Sequence, residues 1–155
     1  MRPIRLLAVS LAIVFGSCSQ PSAGAHSTAT PSPTPVSIGT ATLSASNCNF
    51  DFPTRLPMGS VTWKLVNNTS FTGRFILGRI DDGHVYQEFA DYLKAGTPGK
   101  PPFITEYGFV DVQSNGTGSM AANLREGTYI FHCGYADKTG KVTEFWRGPL
   151  EAART

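Results

Sequence analysis

Leu124-Arg125-Glu126-Gly127-Thr128-Tyr129-Ile130-Phe131-His132-Cys133 is the stretch on which the fold turns. A glycine follows a charged pair and opens a run in which Tyr129, Phe131 and Cys133 share one parity and Thr128, Ile130 and His132 the other. Successive strand side chains point to opposite faces. The run therefore reads as a strand with Tyr129, Phe131 and Cys133 toward a core and His132 pointing outward. Comparable runs lie on either side, at residues 38–45, 61–66, 74–80, 103–112, 118–124 and 141–146, so that with 127–133 there are about seven strands. Asp82-Gly83 and Asn115-Gly116 are turn pairs between them. One segment breaks the alternation: Val85, Tyr86, Phe89, Ala90 and Leu93 fall at helical spacing, which predicts a short helix over 85–95 with Asp81 and Asp82 suited to its N-terminus. Seven short strands and one inserted helix argue for an all-β, Greek-key sandwich of two sheets over residues 38–155.

Composition agrees with that class. The 155 residues include 16 Gly and 11 Pro, and only 15% are charged, against a usual share of about 25%. Helical bundles and coiled coils are thereby excluded. The formal charge of +2 comes from Arg2 and Arg5; without them basic and acidic residues are equal in number. A neutral domain with no basic run lacks the electrostatic footprint of a nucleic-acid binder.

Those two arginines belong to a separate segment. Residues 1–17 carry a basic start, an apolar run from Leu6 to Phe15 and a small pair, Gly16-Ser17, which is the layout of a secretory signal. The apolar run is too short for the roughly 20 residues of a membrane-spanning helix. Cys18 follows directly, and this resembles the bacterial lipobox, with Phe15 where an aliphatic residue is commoner. The resemblance implies that Cys18 is acylated and anchors the mature chain to the outer leaflet; an ordinary signal peptide with a spare thiol is the alternative. Residues 18–37 then form a tether: of the nineteen from Ser19 on, twelve are Ser, Thr or Pro and none is charged.

The stretch quoted first resembles the cupredoxin pattern L-x-x-G-x-Y-x-F-x-C, of the plastocyanin and azurin type. In that family the Gly makes a corner, the Tyr closes it, and the Cys ends the penultimate strand as the copper thiolate. The upstream order is similar: a first strand ending in Phe50 and Phe52, a Pro/Gly turn, a strand ending in Val66-Asn67, and one ending in Gly78-Arg79-Ile80. The resemblance implies a type 1 copper site of two imidazoles, a thiolate and a weak axial Met, and most of that set is missing. The first His would follow Asn67, where the chain reads Asn68-Thr69-Ser70-Phe71-Thr72-Gly73. The second His and the Met would lie between Gly134 and Arg147, which hold neither. Met58 lies in a turn and Met120 in a strand, neither at the axial position. Of the family's ligands only Cys133 stands in place. The expectation is therefore no cofactor, with copper held by Cys133 and a displaced His132 or His84 as the alternative.

With Cys18 acylated in an oxidising compartment, Cys48 and Cys133 are the two remaining thiols. Cys48 shares its parity with Phe50 and Phe52, and Cys133 faces the core. A Cys48–Cys133 disulfide is the favoured reading; two buried free thiols acting as small apolar residues are the other. A bridge would remove the one surviving copper ligand. No nucleophile elbow, zincin helix or phosphate loop is present, which points away from an enzyme. The function expected is a lipid-anchored, extracytoplasmic binding or accessory module for an unidentified protein or small ligand. A free-thiol count on a denatured, unreduced fragment of residues 39–155 is expected to give zero; two thiols would sink the bridge.

Overall fold

The computed structural model describes residues 34–96 and 99–154. The signal segment, Cys18 and the tether up to residue 33 lie outside the described residues. Nine strands and one helix follow in order: β1 (Val36–Leu43), β2 (Cys48–Asp51), β3 (Arg55–Pro57), β4 (Gly59–Asn67), β5 (Gly73–Ile80), α1 (Tyr86–Lys94), β6 (Ile104–Val112), β7 (Thr117–Leu124), β8 (Gly127–Ala136) and β9 (Val142–Ala153). They form a four-stranded sheet, β2-β1-β4-β7, facing a five-stranded sheet, β3-β9-β8-β5-β6. The all-β, two-sheet sandwich with one inserted helix is the observed architecture.

Several boundaries differ from the sequence reading, each for a local reason. Strand β1 begins at Val36, because Val36 and Ser37 find parallel partners in Val61 and Thr62. Residues 38–52 are not one strand. The chain reverses after Leu43, the Ser44 amide donates to the Asn47 carbonyl at 2.8 Å, and β2 returns antiparallel along β1 with Leu43 opposite Cys48. The last strand runs seven residues past the expected 146, to Ala153, through a cis Gly148-Pro149 bond, and its end pairs in parallel with the short β3.

The corner before β8 forms as the local chemistry demands. Gly127 has φ of 146°, a region disfavoured for L side chains, and a Cβ there would lie 2.8 Å from Nε of Arg79. Tyr129 folds back over the corner: its hydroxyl donates to the Arg125 carbonyl at 3.0 Å and accepts from the Arg125 amide at 3.1 Å. Downstream of that clamp, Tyr129, Phe131 and Cys133 all point inward with no exposed surface. They meet Trp63 from the opposing sheet, and Phe52, Trp63 and Phe131 pack with ring centroids 5.2–6.4 Å apart.

The five-stranded sheet is also covered in part on its other face. Helix α1 buries Phe89 there against Ile80, Ile104 and Ile130, with Tyr86, Phe103 and Trp146 at the margin. Neither Asp81 nor Asp82 caps the helix: Asp81 accepts from the Thr105 hydroxyl and Asp82 pairs with Arg79. The cap is Glu88, whose Oε2 accepts the Val85 amide at 2.8 Å.

At the far end of β4, Asn67 is fully buried and all its polar atoms are engaged. Its Nδ2 donates to the carbonyls of Phe71, Val112 and Gln113, while Oδ1 accepts from the amide and hydroxyl of Thr69. One side chain thus ties the 67–73 loop to the end of β6. Replacing Asn67 with Ala orphans several buried groups at about 1–3 kcal/mol each. Urea unfolding of the variant is expected to show a loss of about 3 kcal/mol or more with an unchanged m-value.

Candidate functional site

The copper reading is tested first by where its residues fall. Cys133 is bonded to Cys48, with Cα atoms 6.6 Å apart and a sequence separation of 85. Cys133 faces the interior between Phe75 and Phe145 in register. Its sulfur is therefore not a thiolate and has no open side for a metal. His132 lies on the opposite face of β8. His84 precedes α1, where its Nδ1 sits 3.1 Å from Oε2 of Glu88 and its ring stacks on Phe103. Met120 is in the core. Cys133, His132 and His84 are not brought together. Among the described residues no three His, Cys, Asp or Glu side chains converge in a way that could hold a metal ion. These residues do not fit a type 1 copper centre.

The outward-facing reading of His132 is right in parity and wrong in environment: the residue is only 5% exposed. In register it stands between Ile76 of β5 and Trp146 of β9. The imidazole lies over Gly134, where a Cβ would approach Nε2 to 3.1 Å, and its centroid is 4.2 Å from that of Trp146. Period-two alternation assigns a residue to a face; it does not say what else covers that face. The ring that covers it, Trp146, comes from β9, so the signal was tertiary. Gly134 two positions on, which leaves room for the ring, is the one local hint.

Burial without hydrogen bonding makes this histidine unusual. Neither ring nitrogen has a partner, whereas buried polar atoms are ordinarily satisfied. The closest acid, Glu144, holds Oε1 3.5 Å from Nε2, beyond hydrogen-bond reach. Burial, and secondarily the positive charge of Arg74, push the imidazole pKa down to about 4, and the half-exposed Glu144 does not offset them. His132 is therefore neutral at pH 7, with one donor and one acceptor nitrogen.

Two grooves meet at this residue. One, of about 660 Å³, is bordered by Phe71, Arg74, Asp111, Tyr135 and Lys138. The other, of about 500 Å³, is bordered by Leu93, Lys100, Ile104, Glu106 and Trp146. Ile76, His132 and Glu144 line both. Each volume lies in the range of small-molecule sites. Arg74 and Asp111 form a two-point ion pair at 2.8 Å across β5 and β6, raising the arginine pKa and lowering that of the aspartate.

No protein-family model matches the chain, and no curated protein does. Two solved structures are similar to it. Auracyanin A, a "blue" copper protein from the green thermophilic photosynthetic bacterium Chloroflexus aurantiacus, is 18% identical over 77% of this chain and 100% of its own, with a TM-score of 0.42. The dithionite-reduced auracyanin of the photosynthetic bacterium Roseiflexus castenholzii is 13% identical over 65% of this chain and 86% of its own, with a TM-score of 0.39. At that level of likeness neither transfers a residue role to this chain.

A buried, unpartnered imidazole has a stability signature. Replacing His132 with Leu removes two orphaned polar atoms and is expected to raise stability at pH 7 by about 1–2 kcal/mol in urea unfolding. Unfolded His takes its proton near 6.5 and the folded residue near about 4, so between those values the unfolded state binds more protons. Wild-type stability should therefore fall as the pH drops from about 6.5 to about 4, by up to about 3 kcal/mol. The His132→Leu variant should lack that component, and an unchanged pH profile would contradict the assignment.

Proposed function

We propose that this chain is an exported, lipid-anchored binding or accessory module of the cell surface, built on a cupredoxin-like sandwich that works without type 1 copper. One observation carries the reading: the cysteine in the family's thiolate position is bonded to Cys48 and sealed in the core, while an unpartnered histidine lines open grooves on the other face of the same strand. The chemistry has moved from the inside of β8 to its outside. A binding role suits this arrangement better than catalysis, since among the described residues neither ring nitrogen of His132 has a hydrogen-bond partner and the neighbouring acid, Glu144, is half-exposed. Export and anchoring rest on residues 1–17, on Cys18 directly after Gly16-Ser17, and on the uncharged tether that follows.

Two measurements test the proposal. Copper(II) added to the full chain, expressed with its own signal and left oxidised, should produce no thiolate charge-transfer band and no rise in melting temperature; an intense visible band would overturn the copper-free reading. Mass spectrometry of the membrane fraction should find a mature N-terminus at acylated Cys18, and Cys18→Ala should leave the chain unacylated. A membrane-bound, acylated Cys18→Ala protein would sink the anchor assignment.

A further inference from the structure

The groove's chemistry narrows the ligand class, and the narrowing rests on the binding-module reading above. We infer that the outer face of the five-stranded sheet takes a neutral, polyhydroxylated ligand, a short saccharide chain, seated across the junction of the two grooves with hydroxyl groups on His132 and Glu144. The site is built rather than incidental: His132 is more than nine-tenths buried, both ring nitrogens lack partners, and the residue lines both grooves. A buried donor and acceptor left unpaired are costly, and a ligand group supplying both roles would recover that cost.

Charge decides against an anion and gives a cation little to bind. Glu144 stands 3.5 Å from Nε2 of His132 and would repel an anion placed there. Arg74 and Lys138 are matched in number by Asp111 and Asp137 along one groove, and Lys100 by Glu106 along the other, which leaves Glu144 as the single excess charge of each. Much of the remaining charge is already matched: Arg74 is paired with Asp111, and the Asp137 carboxylate accepts from Thr139 and the Lys141 amide within its own turn. What remains for a ligand is a neutral imidazole that both donates and accepts, and the carboxylates of Glu144 and Glu106, which accept. A hydroxyl matches both, because it is donor and acceptor at once.

Apolar surface supplies the second requirement. Ile76 forms the floor at the junction, with Trp146 beside it in one groove and Val142 in the other. Sugar rings carry C–H faces as well as hydroxyls, so alternating apolar and hydrogen-bonding patches suit them. Two grooves joined end to end accommodate more than one ring. A purely apolar ligand would leave His132 and Glu144 unsatisfied.

The test uses the full chain with ¹⁵N-labelled histidine, titrated with cellotetraose, maltotetraose and chitotetraose. At least one should move the His132 imidazole resonances saturably at up to millimolar concentration while leaving His84 unmoved. Glu144→Ala should weaken that binding about tenfold or more, and His132→Leu, expected to fold more stably, should abolish the binding heat of the same saccharide in calorimetry. Octylammonium, octanoate and indole serve as the contrasting probes. If one of these moves His132 and no saccharide does, the ligand class is wrong and the groove is still a binding site. If no probe moves His132 in a folded chain, both the class and the binding role of the groove fail.

Discussion

Strand β8 has one phase, and the molecule depends on it. Hydrogen-bonded to β5 on one side and β9 on the other, it cannot slip by one residue without exchanging its two faces. Such a slip would turn Phe131 and Cys133 out of the core and push His132 into it. The clamp of Tyr129 on Arg125, set over the glycine corner at Gly127, holds the start of the strand against that error. Disulfide, aromatic core and groove all inherit their positions from this one local fastening.

The disulfide and the groove are two outcomes of the same alternation. Cys133 points inward and meets Cys48 from β2, closing a long loop in a manner worth on the order of 4 kcal/mol in the chain-entropy model. Its neighbour must then point outward, into a region roofed by Trp146 and bordered by α1. A sandwich whose inner cysteine serves as a covalent staple has no thiolate for a metal, so any recognition chemistry has to use other side chains. The outer face is where such side chains are least satisfied. Strand β8 thus carries the stabilising core on one face and an unsatisfied polar group on the other.

Much of this was legible in the sequence, and what was missed has a common cause. The corner at Gly127, the inward set of Tyr129, Phe131 and Cys133, and the Cys48–Cys133 pairing all follow from local chemistry, parity and the compartment. The sandwich class followed from strand spacing and the single helical segment. The β1–β2 reversal escaped because Ser44-Ala45-Ser46-Asn47 has no glycine or proline to mark a turn. The helix cap escaped because Asp81 and Asp82 are better local candidates than Glu88, yet Thr105 and Arg79 claim them in the folded chain. His132 was given its correct face and the wrong surroundings, since its roof, Trp146, comes from the following strand and parity says nothing of what packs over a face. In each case the deciding partner was tertiary.

The path of covalent bonds has a mechanical consequence. The chain enters the described domain at Val36, at the head of β1, which lies inside its sheet between β2 and β4. A pull on the segment before Val36 loads the hydrogen bonds on both sides of β1 along their strands, in shear rather than one at a time. Whatever tension passes that barrier runs through the β1–β2 hairpin to Cys48 and crosses the sulfurs to Cys133, one residue from His132. The groove and the N-terminal strand of the described domain therefore lie at the two ends of a short covalent load path.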